Sequence, residues 1–97
     1  MGRPVFIGDE VTAAGYRLAG LDVRVPPPED AGEALRAARA TAPIVLVTAE
    51  VVEHVPADQM RAALEAPRPL TVVVGDVRGR RPAPDIGADL RRRLGME

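Results

Sequence analysis

The sequence predicts an α/β fold: a small three-layer, Rossmann-like domain with a four-stranded parallel sheet, helices on both faces and a further helix at the C-terminus. Three observations predict it. Short apolar runs at residues 5–7, 44–47 and 70–74, and a mixed run at 21–25, alternate with segments of helical period. The runs are closed by residues that stop a strand or cap a helix, among them Gly8–Asp9, Thr48 and Gly75. Finally, the first and third runs (VFI and IVLV) are continuously apolar, as parallel strands covered on both faces require. Strands alternating with helices imply right-handed crossovers and a doubly covered sheet.

The elements follow in order. Residues 5–7 form a strand that ends at Gly8, and Asp9 accepts from the N–H groups of the next helix's first turn. Along that helix Val11, Ala14, Gly15 and Leu18 share a face, with Gly15 permitting close helix packing. Tyr16 projects from nearly the opposite side, at about 100° per residue. Gly20 is the C-cap. Residues 21–25 (LDVRV) alternate in the manner of a half-exposed edge strand, which Pro26, Pro27 and Pro28 stop because proline cannot donate to the ladder.

Glu29 and Asp30 suit the first turn of a second helix, where the dipole favours acids. Ala31, Ala34, Leu35 and Ala38 repeat on its inner face, and Glu33, Arg36 and Arg39 fall on the wet side. Residues 44–47 are the central strand. Thr48 caps a third helix, Pro56 breaks it, and a second helical piece runs over residues 57–65. Residues 70–74 (LTVVV) are the fourth strand. A loop rich in Gly, Pro and Arg spans 76–84, and Asp85 caps a final helix with Ile86, Leu90 and Leu94 on one face and Arg91, Arg92 and Arg93 in its last turn. The domain reading is a core over residues 1–76, followed by a flexible loop and C-terminal helix over 77–97.

Composition bounds the chemistry. Ninety-seven residues make one domain, and Phe6 and Tyr16 are its only aromatics, so the core is built from Val, Leu, Ile and Ala. A domain of this size buries roughly 60–65% of its unfolded surface, which makes dependence on a partner a reasonable expectation. The net charge of −1 argues against nucleic-acid binding by bulk electrostatics. There is no Lys, Cys or Ser, which excludes Schiff-base, P-loop and catalytic lysines, thiolate metal sites, disulfides and Ser–His–Asp catalysis. No apolar run approaches the ~20 residues of a membrane span, no signal-peptide core opens the chain, and Phe6 breaks the myristoylation pattern after Gly2.

Ligands of such sheets bind beyond the carboxyl ends of the strands. Those ends carry Asp9, Glu10, Glu50 and Asp76, an acidic set reminiscent of a receiver domain's Mg²⁺ site. Yet Thr48 stands where a receiver carries its phospho-accepting Asp, and the lysine a receiver needs is missing. Neither GxGxxG nor a Walker pattern occurs, and His54, the sole histidine, has no second His or Cys to complete a transition-metal site. No catalytic, cofactor-binding or metal-ligating residue is expected. Asp9 is a helix cap and Glu10 a solvated acid.

Residues 7–25, IGDEVTAAGYRLAGLDVRV, resemble the opening of the F subunit of the V-type/A-type rotary ATPases. In that family a strand ending Ile-Gly-Asp precedes a helix containing Gly-(Phe/Tyr)-Arg-Leu-Ala-Gly and then a short strand. The matching residues are Ile7, Gly8, Asp9, Gly15, Tyr16, Arg17, Leu18, Ala19 and Gly20. The strand and turn of residues 44–50 (IVLVTAE) and the ending of residues 85–95, an Asp-capped Ile leading to an Arg-rich stretch and Leu-Gly, are similar too, so essentially the whole chain is covered. Residues 75–84 (GDVRGRRPAP) are richer in Arg than the family's usual linker, Pro56 splits the third helix, and a long regulatory extension after Glu97 is not expected.

The resemblance implies a non-catalytic central-stalk (rotor) component of a proton- or sodium-translocating ATPase or ATP synthase. Such a component is cytoplasmic and peripheral to the membrane. It docks on the rotor's coiled-coil D subunit and, through it, meets the catalytic A and B subunits. It stiffens the rotor and can modulate ATP hydrolysis, with the C-terminal segment as the movable element. Docking is expected to use the exposed side of Tyr16 and Arg17, the second-strand edge at Asp22 and Arg24, and the final helix at Ile86, Leu90, Arg91 and Leu94; the alternatives are that Tyr16 packs under the turn leading to the second strand and that the Ile86, Leu90 and Leu94 face covers the sheet. The alternatives are a degenerate receiver-like signalling or binding domain without phosphotransfer, and a small enzyme using Asp9 and Glu10 as acid and base.

Overall fold

The computed structural model describes residues 2–75. In order these are β1 (Val5–Ile7), α1 (Glu10–Leu18), β2 (Asp22–Arg24), a 3₁₀ turn (Pro28–Asp30), α2 (Ala31–Thr41), β3 (Ile44–Thr48), α3 (Ala49–Val52), α4 (Ala57–Glu65) and β4 (Leu70–Val74). The final helix expected after Asp85, and the Arg-rich loop before it, lie outside the described residues.

The four strands pair in parallel in the order β2-β1-β3-β4. Residues 44–48 are thus an interior strand and residues 22–24 an edge, as the apolar run and the alternating run require. The register aligns Val5, Val45 and Thr71, then Phe6, Leu46 and Val72, then Ile7, Val47 and Val73. Because side chains alternate across a strand, this register sorts the core into two layers. Val5, Ile7, Val45 and Val47 meet Ala31, Leu35 and Ala38 of α2 and Met60 and Ala63 of α4. Phe6, Val72 and Val74 lie on the other face, with Ala13 and Tyr16 of α1. The result is α1, sheet, then α2 and α4: an α/β domain of three layers.

Local chemistry sets the boundaries. The Asp9 Oδ2 accepts from the Thr12 N–H at 3.0 Å, and the Thr48 Oγ1 accepts from the Val51 N–H at 3.3 Å. At the other end of α1, Gly20 takes φ +96°, a conformation that costs a side-chain-bearing residue. It donates to the Arg17 carbonyl at 3.0 Å, and Leu21 donates to the Tyr16 carbonyl at 3.1 Å. This is a Schellman closure, and Leu21 and Tyr16 fall in the same apolar cluster, as such a closure favours. β2 stops at Arg24, one residue short of the expected end, leaving Val25 exposed before Pro26. Glu29 and Asp30 sit in the 3₁₀ turn that leads into α2 rather than in the α-helix proper.

Two expectations are corrected. Arg39 is not simply solvated. Its Nη1 donates to the Ala63 carbonyl at 3.3 Å, the Pro69 carbonyl at 3.0 Å and the Thr71 Oγ1 at 2.5 Å. The long stem lets a residue beside the buried stripe reach back to it, and the guanidinium satisfies a carbonyl that the C-terminal turn of α4 leaves without a helical partner. The second correction concerns the orientation of α1.

Candidate functional site

Two regions carry the residues that sequence reasoning singled out. The first is the carboxyl end of the sheet, around the point where the chain turns from β1 to β2 on one side and to β3 on the other. Gly8, Asp9, Pro26, Glu50 and His54 contribute to a hollow there of about 160 Å³. Asp9 in this hollow caps α1, and Thr48 at the neighbouring strand end caps α3. Gly8 is explained by packing rather than by a ligand. A Cβ there would overlap the Phe6 ring and stand 2.7 Å from the Thr48 Cγ2, so the strand end closes over the ring only because the side chain is a hydrogen. Among the described residues no three His, Cys, Asp or Glu side chains converge to hold a metal ion.

The second region is the outer surface of α1 and the β2 edge. At about 100° per residue, Thr12, Ala13 and Tyr16 occupy one side of α1, and Val11, Ala14, Gly15 and Leu18 the other. The structure turns the first side inward. Thr12 and Ala13 are buried, and Tyr16 is half-buried with its ring stacked on Phe6 at 4.3 Å between centroids and 13° between planes. Hence Tyr16 does not project away from the packed side of the helix, as the sequence suggested. Leu18 is 90% exposed and Val11 59%, with Ala14 and Gly15 exposed between them.

The physical reason is the choice between two apolar faces. The inward side brings together the chain's only two aromatic rings, whose stacking adds about 0.5–1.5 kcal/mol beyond area burial, and sets small Thr12 and Ala13 against the sheet. Leaving Leu18 and half of Val11 in water forgoes roughly 2–4 kcal/mol that burial of those side chains would supply. The solvent-facing line of α1 is therefore its aliphatic line, the reverse of an ordinary surface helix.

Charges flank this line. Arg17 Nη2 stands 3.8 Å from Glu10 Oε2, and both side chains are exposed. On the β2 edge Asp22 pairs with Arg3 at 3.5 Å, and the exposed Arg24 donates to the Val23 carbonyl at 3.0 Å. α1 packs over β2 through Val23, which shares the apolar cluster of Phe6, Ala13 and Tyr16. Of the residues expected at a contact, Arg17 is exposed on α1 with Tyr16 packed beneath the helix, whereas Asp22 and Arg24, in register with Val5 and Ile7, alternate to the sheet face opposite α1. Ile86, Leu90, Arg91 and Leu94 lie outside the described residues. The aliphatic line itself was not anticipated as a surface. No spacing along α1 signals it, because the contact that decides the orientation joins Tyr16 to Phe6 on β1.

Elsewhere, on the outer side of α2, Arg36 donates to both carboxylate oxygens of Glu33, through Nε at 2.9 Å and through Nη2. That hydrogen bond holds the Glu33 carboxyl below its usual range and the guanidinium above its own. Among the described residues no helix is long and apolar enough to cross a membrane.

Comparison with known families finds that residues 5–90 match the family described as ATP synthase (F/14-kDa) subunit. Comparison with curated proteins finds no match.

Proposed function

The chain belongs to the ATP synthase (F/14-kDa) subunit family, and from that premise we propose that it is the non-catalytic central-stalk component of a V-type/A-type rotary complex. In this reading the domain docks on the rotor's coiled-coil D subunit and reaches the catalytic A and B subunits only through it. It works at the cytoplasmic side, peripheral to the membrane, in a complex that moves protons or sodium ions, and its C-terminal segment modulates ATP hydrolysis. The observation that carries the reading is the extent of the match. It spans every strand and helix of the described domain and continues into the segment that holds Ile86 and Leu90. The residues proposed for docking are Arg17, with Tyr16 packed beneath α1, Asp22 and Arg24 on the β2 edge, and Ile86, Leu90, Arg91 and Leu94 of the C-terminal segment. The polar groups at the strand ends support a non-catalytic role, because Asp9 and Thr48 are already engaged as caps.

The experiment is affinity purification of the tagged chain from its own cells under gentle conditions, with mass spectrometry of the co-purifying proteins. The reading predicts a coiled-coil rotor protein together with the two subunits of the catalytic hexamer, at about one copy of this chain per complex. Recovery of the chain without any ATPase component would refute it.

A further inference from the structure

We propose that the groove between α2 and α4 is a binding site for a small organic anion, a carboxylate or a phosphate ester, received on the free edge of the Arg39 guanidinium. The proposal goes beyond the preceding reading and does not depend on it.

Three observations carry it. The first is a preformed groove of ligand size. It encloses about 560 Å³, within the roughly 300–1,000 Å³ of small-molecule sites. Leu35 of α2 and Ala62, Ala63 and Ala66 of α4 line it, and the short alanine side chains leave the space open. These apolar walls suit a carbon skeleton, which a bare inorganic ion lacks.

The second is the sign of the polar lining. Arg36 and Arg39 stand one turn apart on α2, about 5–6 Å between Cβ atoms, and among the described residues no acid lines the groove. Glu33 engages Arg36 through Nε and Nη2 and leaves its Nη1 without a described acceptor. Gln59, the other polar side chain of the lining, is occupied in donating to the Gly32 carbonyl at 2.8 Å.

The third is how Arg39 is held. A single nitrogen, Nη1, makes its contacts with the carbonyls of Ala63 and Pro69 and with the Thr71 hydroxyl. Because the guanidinium is planar and rigid, fixing Nη1 fixes the whole fork. Nε–H and one Nη2–H then run side by side along the opposite edge, and among the described residues neither meets an acceptor. Two parallel N–H groups match the paired oxygens of a carboxylate or phosphate. The structural contacts explain Nη1 and leave this pair unused. An arginine already anchored loses little side-chain freedom when a ligand arrives, unlike a mobile surface arginine.

The test follows the Arg39 Nε–H signal of the isotope-labelled full-length chain by NMR. The chain is titrated with sodium succinate and, separately, with glycerol phosphate, and sodium chloride keeps the ionic strength constant. Arg36→Gln and Ala62→Glu are titrated in the same way, and all three proteins are melted without ligand. Both substituted positions are exposed, so the three should melt alike. Ala62→Glu places a carboxylate inside the groove and should abolish binding. Wild type is expected to show a saturable shift with at least one probe, with a midpoint on the order of 1–10 mM. That midpoint should rise about threefold in Arg36→Gln, the ratio a screened charge supplies. Saturation by succinate alone identifies a carboxylate ligand, by glycerol phosphate alone a phosphate ester, and by both an oxyanion of either kind. No saturable shift in wild type up to about 50 mM of either probe overturns the site. Saturation by Ala62→Glu at the wild-type midpoint overturns it as well. If Ala62→Glu does not fold, Arg36→Gln decides, and an unchanged midpoint there overturns the proposal.

Discussion

Replacing Arg39 by methionine should destabilise the domain by about 2 kcal/mol, although the sequence places this arginine on the wet side of α2. Methionine keeps an unbranched apolar stem of similar girth and removes the guanidinium. The lost contacts are those of Nη1 with the carbonyls of Ala63 and Pro69 and with the Thr71 hydroxyl. One NH₂ group carries two hydrogens, so three acceptors share at most two full hydrogen bonds. Bonds to a charged donor contribute about 1.5–3 kcal/mol each when buried. The carbonyls of Ala63 and Pro69 can turn to water once the guanidinium is gone, whereas Thr71, 2% exposed, cannot. One bond's worth, about 2 kcal/mol, is therefore the expected net loss. For a domain of this size that lowers the melting temperature by roughly 8–16 °C. Arg39→Lys, which keeps a donor but not the fork, should fall between. The assay is thermal unfolding followed by circular dichroism, with chemical denaturation to confirm an unchanged slope. A methionine variant that melts within about 2 °C of wild type would show that the three contacts contribute nothing, and the reasoning from them would fail.

Other outcomes follow from the same geometry. Gly8→Ala forces a Cβ onto the Phe6 ring and the Thr48 methyl, and should cost about 1–3 kcal/mol, read as a lower denaturation midpoint. Asp9→Ala removes the acceptor for the Thr12 N–H and should cost about 1 kcal/mol, a smaller shift in the same assay, while Asp9→Asn keeps most of it. The Glu33 carboxyl is held low by its hydrogen bond from Arg36, so the pair's contribution is present above the unfolded carboxylate pKa of about 4.3 and is lost as the pH falls through the lower folded value. Melting of wild type and Glu33→Gln should accordingly differ slightly at pH 7 and coincide at about pH 2. Leu90→Asp should weaken binding to the coiled-coil partner without lowering the melting temperature, and a fold that fails without a specific loss of binding would count against Leu90 as a contact.

The sheet and its order of burial were legible because the signal is local. An apolar run bounded by Gly8 or by Thr48 can be little else than a buried strand, and Ala31, Leu35 and Ala38 leave α2 one face to bury. The caps at Asp9 and Thr48 were legible for the same reason, since each acts within three residues. The phase of α1 was not. A helical period identifies faces but does not say which meets the sheet, and α1 offers two apolar ones. The contact that decides between them joins Tyr16 to Phe6, ten positions back and across a turn, and no period reports it. Arg39 was hidden similarly, because helical spacing fixes where a side chain starts and not where a long one ends. The exposed side of α1 was thus misassigned: helical spacing gave it to Tyr16, and the structure gives it to Val11 and Leu18.

The central claim is a place in the rotor, and imaging the assembled complex tests it most directly. The chain carrying a compact fused marker protein is purified with its complex, and single-particle averages are compared with those of the unmarked complex. The account predicts extra density on the central stalk, beside the coiled coil and below the catalytic hexamer. Density at the periphery of the hexamer or on an outer stalk would contradict it.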